Sequence, residues 1–186
     1  MNGFFKSGFS LIELVIALVI LGLLAAITVP TLRTFLAKDD RKTFLTELNS
    51  VVSNALETAI LSDKMSRVVF DLVNKKVFVE EQSGKKLPGG KLDFVPITER
   101  YVQNQFDWSK INFEIKNFYI DTKDEMILSV GQIRKEKVWF YILPDATAQP
   151  VILNIIDLNE NLSQSESQFS LVLNPFSVQF KMYEKL

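Results

Sequence analysis

From Phe9 to Val29 the chain runs through 21 residues of which only Ser10, Glu13 and Thr28 are polar. As a helix at about 1.5 Å per residue this run is roughly 31 Å long, close to the hydrocarbon thickness of a bilayer. That length restricts the segment to a membrane helix or to the interior of an assembly. Glu13 is the exception inside it. A carboxylate in lipid is costly unless a partner neutralises it, so an ionisable group there is a functional-site hypothesis by default.

Bulk composition narrows the possibilities for the rest of the chain. A length of 186 residues suits one membrane-anchored domain. With 21 basic and 22 acidic residues the net charge is −1, and setting aside Lys6 and Glu13 leaves the rest near neutral. This argues against a strongly basic nucleic-acid surface and against nucleic acid as a partner. The chain has no cysteine and no histidine, so disulfides, a lipidated cysteine and the common metal and nucleophile-base sets are excluded. No enzyme activity, metal or cofactor is expected.

The residues Gly8-Phe9-Ser10-Leu11-Ile12-Glu13-Leu14 open this run, and their order carries a family resemblance. Together with the apolar residues up to Pro30 they resemble the processing and assembly segment of type IV pilins and of the pseudopilins of type II secretion. The resemblance implies that a prepilin peptidase cuts between Gly8 and Phe9 and that Phe9 is then N-methylated. It implies that Glu13 guides assembly, and Gly22 and Pro30 fall where the family commonly has Gly and Pro. Many major pilins close a loop with a disulfide, which this chain cannot do.

On this reading the protein has four parts: a leader peptide over 1–8, a transmembrane and assembly helix over 9–30, an amphipathic continuation over 31–62, and a β-rich head over 63–186. MNGFFKSG is too short for a complete secretory signal, and the apolar stretch comes after the expected cut, so it stays in the mature chain. Charge alone does not orient the segment, because Lys6 on one side faces Arg33, Lys38, Arg41 and Lys42 on the other. The resemblance implies an inner-membrane anchor with residues from Pro30 onward on the periplasmic side.

Cleavage would free the Phe9 amine one turn before Glu13, at the positive end of the helix dipole. The carboxylate could pair with that amine within one chain or with the amine of a neighbouring subunit, and the residues alone allow either. The resemblance favours the intermolecular pair. From Leu14 to Val29 the side chains would serve first as anchor and then as fibre packing, since a subunit leaving lipid must bury the same surface elsewhere. Gly22 permits close approach of helices.

Beyond Pro30, which is expected to kink or loosen the helix, Phe44, Leu48, Val51, Val52, Ala55, Leu56, Ala59 and Ile60 recur at three- and four-residue steps. Thr43, Glu47, Ser50, Asn54 and Glu57 form the opposite face, expected to be solvated. The helix is predicted to reach Leu61. After Asp63 the period becomes two. A hairpin is predicted around Asn74-Lys75, a loop over Gln82 to Lys91, and strands near Asn112–Ile120, Glu125–Val130, Lys137–Leu143 and Val151–Ile156. A final hairpin turns at Asn174-Pro175, after a polar loop from Asn159 to Gln168.

The expected fold is α+β and pilin-like: a long N-terminal helix, membrane-spanning in its first half, packed on an antiparallel β-rich globular head. A hairpin directly after the helix, and Val138-Trp139-Phe140 leading to Pro144-Asp145, resemble the H-type minor pseudopilins and related minor pilins. Ala146 stands where those heads often have Gly.

Other candidates in the head are weaker. The stretch from Gly84 to Leu92, GKKLPGGKL, lacks the spacing of a phosphate-binding loop and reads as a turn. Asp121, Asp124 and Glu125 form no calcium-loop pattern. Phe106, Trp108, Phe113, Phe118, Tyr119, Trp139 and Tyr141 are expected mainly in the core. The implied partners are other pilin or pseudopilin subunits, the prepilin peptidase, an inner-membrane assembly platform with its motor ATPase, and membrane lipid. A minor type IV pilin serving pilus assembly, motility or DNA uptake is the alternative. The stretch Phe180 to Leu186 is only mildly basic, which weakens the DNA-uptake reading.

Overall fold

The structure, a computed structural model, describes residues 11–97, 103–127, 133–159, 162–163 and 166–184, with the side chains of 27–39 outside the description. The chain divides into two compact units, Met1–Asp39 and Asp40–Leu186. One helix, α1 (Leu11–Ser62), supplies the described part of the first unit and opens the second. Pro30 lies within its bounds.

Among the described residues ten strands come after it: β1 (Ser66–Asp71), β2 (Lys76–Lys86), β3 (Leu92–Pro96), β4 (Gln105–Asp107), β5 (Phe113–Ile120), β6 (Lys123–Asp124), β7 (Lys137–Ile142), β8 (Val151–Asp157), β9 (Gln168–Asn174) and β10 (Gln179–Tyr183). They form two antiparallel sheets. One has the order β3-β2-β1-β7, with β4 also pairing β2, and the other runs β10-β9-β8-β5-β6. The long β2 pairs β1 along one edge, and β4 and β3 in succession along the other.

Alternation places the head's core between the elements. In β8 the residues Val151, Leu153, Ile155 and Asp157 are buried and those between are not. Val68 and Phe70 of β1, Phe140 and Ile142 of β7, and Leu171 and Leu173 of β9 join them. The second half of α1 closes this core with Phe44, Leu48, Val51, Val52, Ala55 and Ala59, all fully buried. Edge-to-face packing of Phe44 on Phe106 at 5.3 Å and Phe113 at 5.7 Å locks helix to sheet.

Some expectations fall partly outside the described residues, and others need correction. Among the described residues, no helix is long and apolar enough to cross a membrane. The described apolar side chains run from Leu11 to Ala26, roughly 24 Å at 1.5 Å per residue, short of the bilayer core of about 30 Å. Phe9, where the expected span begins, and the side chains at Ile27 to Val29, where it ends, lie outside the described residues. The stretch Gln82 to Lys91 is mostly strand and turn. β2 continues to Lys86, and Leu87 to Gly90 turns the chain into β3. Gly84, Gly89 and Gly90 have φ of 77°, 83° and 76°, which glycine tolerates without strain.

The strand expected at Glu125–Val130 is replaced by β6, two residues earlier, and a single bridge between Ile127 and Arg134. Residues 128–130 lie outside the description. β3 and β4 form where periodicity predicts no strand. Ile60, assigned to the buried helix face, is half exposed. On the face expected to be solvated, Asn54 Nδ2 donates to the Gln103 carbonyl at 2.7 Å, and Gln103 Nε2 donates to Glu47. That face therefore holds the approach to β4.

Candidate assembly segment and head surface

Glu13 lies in the first turn of α1. The chain around it has no core of its own to enter. Leu11, Ile12, Leu14, Val15, Ile16, Leu18, Val19, Ile20, Leu21, Leu23 and Leu24 are all 46 to 84% exposed, Leu14 at 58%. A helix apolar on every side belongs inside a larger assembly or a membrane, and contiguous apolar surface of this kind marks an interaction site. A Cβ built at Gly22 would meet nothing within 4 Å. The chain's own packing therefore does not demand glycine there.

The structure thus carries Glu13, Leu14 and Gly22 on one exposed apolar helix. Gly8 and Phe9 lie outside the described residues, as does the side chain of Pro30, so no geometry connects Phe9 to Glu13.

The helix's later turns make two long-range contacts within the head that period counting does not reveal. Arg41 Nε donates to Asp157 Oδ2 at 3.1 Å, with the Asp157 side chain fully buried. The same guanidinium stacks 4.8 Å from the Phe169 ring centre. Asn49 pairs with the backbone of β10 in both directions: Phe180 N donates to Asn49 Oδ1 at 2.7 Å, and Asn49 Nδ2 donates to the Phe180 carbonyl at 3.0 Å. A helix amide therefore closes the edge of the second sheet. Both contacts join residues more than a hundred positions apart, which no local pattern signals.

The aromatic residues divide between two places. Phe106, Trp108, Phe113 and Phe118 are core, as expected. Trp139 and Tyr141 instead face outward from β7, and Tyr119 is only half-buried. Trp139 Nε1 donates to the Tyr141 hydroxyl at 3.1 Å, and Arg67 lies over both Phe94 and Trp139. Asp124 accepts from Asn117 Nδ2 at 2.8 Å and from Met126 N at 3.0 Å. The Glu125 carboxyl is held below the usual range by hydrogen bonds from Lys123 and Lys135. These carboxylates are engaged within the fold.

Comparison with known proteins agrees with this arrangement. Residues 5–29 match the prokaryotic N-terminal methylation motif, a span that contains Gly8, Phe9 and Glu13. No curated protein sequence matches the chain. Among solved structures it is similar to the minor pseudopilin EpsH from the type 2 secretion system of Vibrio cholerae. That match has 15% identity and a TM-score of 0.50, and covers 77% of this chain and 94% of EpsH. It is also similar to Escherichia coli GspH, with 16% identity and a TM-score of 0.52, covering 79% of this chain and 89% of GspH.

An N-terminal methylation motif leads here into a helix whose later turns pack on two antiparallel sheets. The fold is pilin-like, similar to that of the minor pseudopilins EpsH and GspH.

Proposed function

We propose that the protein is a minor pseudopilin of a type II secretion system, a structural subunit without catalytic activity. On this reading residues 1–8 are a leader that prepilin peptidase removes between Gly8 and Phe9, and Phe9 is methylated. Residues 9–30 hold the chain in the inner membrane, 31–62 continue the helix, and 63–186 form the periplasmic head. On leaving the bilayer the apolar side chains around Leu14 and Gly22 pack against other subunits. The Glu13 carboxylate then pairs with the amine of Phe9 on a neighbour and sets the stagger. In an apolar interior, loss of either partner leaves a buried charge uncompensated.

The observation that carries this reading is the pairing of an all-round exposed apolar helix with a head of the EpsH and GspH fold. A minor type IV pilin has the same parts, and the fold likeness to two secretion subunits favours secretion.

Processing is tested by intact mass of the chain expressed with and without prepilin peptidase. The expected result is loss of the first eight residues and gain of one methyl group only when the peptidase is present. An unchanged mass would make the chain a static anchor. A deletion strain compared for protein secretion, surface motility and DNA uptake separates the two kinds of fibre.

A further inference from the structure

Among the described aromatic residues of the head Phe176 is the most exposed, at 82%. Its turn between β9 and β10 is pinned on several sides. Asn174 Oδ1 accepts from Phe176 N at 2.9 Å and from Ser177 N at 3.2 Å, and the Pro175 carbonyl accepts from Ala148 N at 2.9 Å. Val178, two residues on, is buried. A ring held out in water stabilises nothing within its own head. An aromatic anchor on a pre-ordered turn, however, loses little conformational freedom when a partner covers it.

A cleft of about 260 Å³ lies at the other end of the head. β8 fixes the two positions. Its first residue, Val151, pairs with Leu173 beside the Phe176 turn, and its last, Asp157, pairs with Phe113 of the cleft. This seven-residue strand spans roughly 20 Å, so the ring cannot reach the cleft of its own chain. Leu72, Trp108, Phe113 and Ile115 give the cleft an apolar floor, and Val73 stands 68% exposed at its lip. The charges of its rim are matched. Arg134 pairs with Glu114 and Lys135 with Glu125, and Lys75 and Glu136 add one charge of each sign. Such a rim selects no ion, so the apolar floor decides what enters.

We propose that Phe176 of one copy of this chain inserts into the cleft floored by Trp108 and Phe113 on a second copy. A knob at one end of the head and a hole at the other make a heterologous contact, which repeats along a filament instead of closing a pair. Phe176 is the aromatic anchor of that contact, and Val73 closes over it at the lip. One ring buries far too little surface to hold two free molecules together. The contact therefore acts where the exposed helices already hold subunits side by side, and there it fixes one head against the next. In that respect it rests on the proposed assembly role, and it needs only two adjacent copies.

The test uses fibres of the full chain in which a photo-cross-linking phenylalanine analogue replaces Phe176. A tagged and an untagged copy are co-expressed to separate links between copies from links within one, and linked peptides are mapped by mass spectrometry. Links should join position 176 of one copy to 72–75 or 108–115 of the other. Val73→Glu sets a charge at the exposed lip, away from the core, and should cut the yield about tenfold by leaving that charge unpaired against the ring. Links only to other proteins, links to a different face of the second copy, or an unchanged yield in Val73→Glu would each overturn the contact. Fibres that form without the link would remove this contact and leave the proposed function standing, whereas a chain that enters no fibre would remove both.

Discussion

Between Leu11 and Leu24 every large apolar side chain of α1 is 46% exposed or more, whereas Phe44, Leu48, Val51, Val52, Ala55 and Ala59 of the same helix are fully buried. The later half is amphipathic and finds its apolar partners in the two sheets of its own chain. The earlier half is apolar on all sides, with Glu13 as its one charge up to Ala26. Burial stabilises by roughly 25 cal/mol per Å² of apolar surface removed from water, so the two halves have opposite requirements. The head satisfies its helix internally, and the first half must be satisfied by something outside the chain, lipid or neighbouring subunits.

The contrast predicts which substitutions act on the head alone. Phe44→Ala removes a ring packed against Phe106, Trp108 and Phe113 and should destabilise the head by about 3–5 kcal/mol. Thermal melting of the full chain in detergent, monitored by near-ultraviolet circular dichroism, reads this directly. A melt that does not move would break the claim that the later half belongs to the head's core.

Arg41→Ala leaves the Asp157 carboxylate buried without its cation and should cost about 3 kcal/mol in the same melt. Asp157 keeps one hydrogen bond, from Asn159 N at 3.1 Å, which moderates the loss. Smaller and opposite in sign is Ala146→Gly. Ala146 has a φ of 65°, a left-handed conformation that costs a side-chain-bearing residue about 1 kcal/mol or more. Glycine there should stabilise the head by about 1 kcal/mol, which gives a physical reason for glycine at this turn in similar heads.

The smallest effect is in acid. Burial alone would raise the Asp71 pKa, but hydrogen bonds from the Asn74 backbone and side chain and from Lys137 outweigh it and hold it below the usual aspartate value. A depressed carboxylate stabilises the fold above its unfolded pKa, and that contribution fades as pH falls through the folded value, below about pH 4. Asp71→Asn should therefore lower the melting temperature at pH 7 and make less difference in that acid range.

The legibility of the sequence divides in the same way. The apolar run, the buried helix face and the strands β1, β5, β7, β8, β9 and β10 show in residue periodicity, because one face of each meets the core. β3 and β4 do not. β4 is three residues long, β3 ends in Pro96, and both are placed by backbone pairing to β2, which needs no alternation. Arg41 and Asn49 read as ordinary helix-surface residues because their partners, Asp157 and Phe180, lie 116 and 131 positions away. Trp139 and Tyr141 depart from the expected core because aromatic character signals burial without saying which face of a strand is inside. In the assembly segment the motif is legible, but the proposed pairing of Glu13 with Phe9 of a neighbour is not, because it would join two molecules.

The most direct test of the difference between the two halves probes what the exposed helix touches in a fibre. A photo-cross-linking amino acid replaces Leu18, in the exposed half of α1, alone and together with Glu13→Ala, and fibres are irradiated and run denatured. The expected result is cross-links from position 18 to neighbouring subunits in fibres of the single variant, and their loss in the double variant although its leader is still removed. Equal cross-linking with and without Glu13, or none at Leu18 in intact fibres, would contradict an assembly built through this helix and its glutamate.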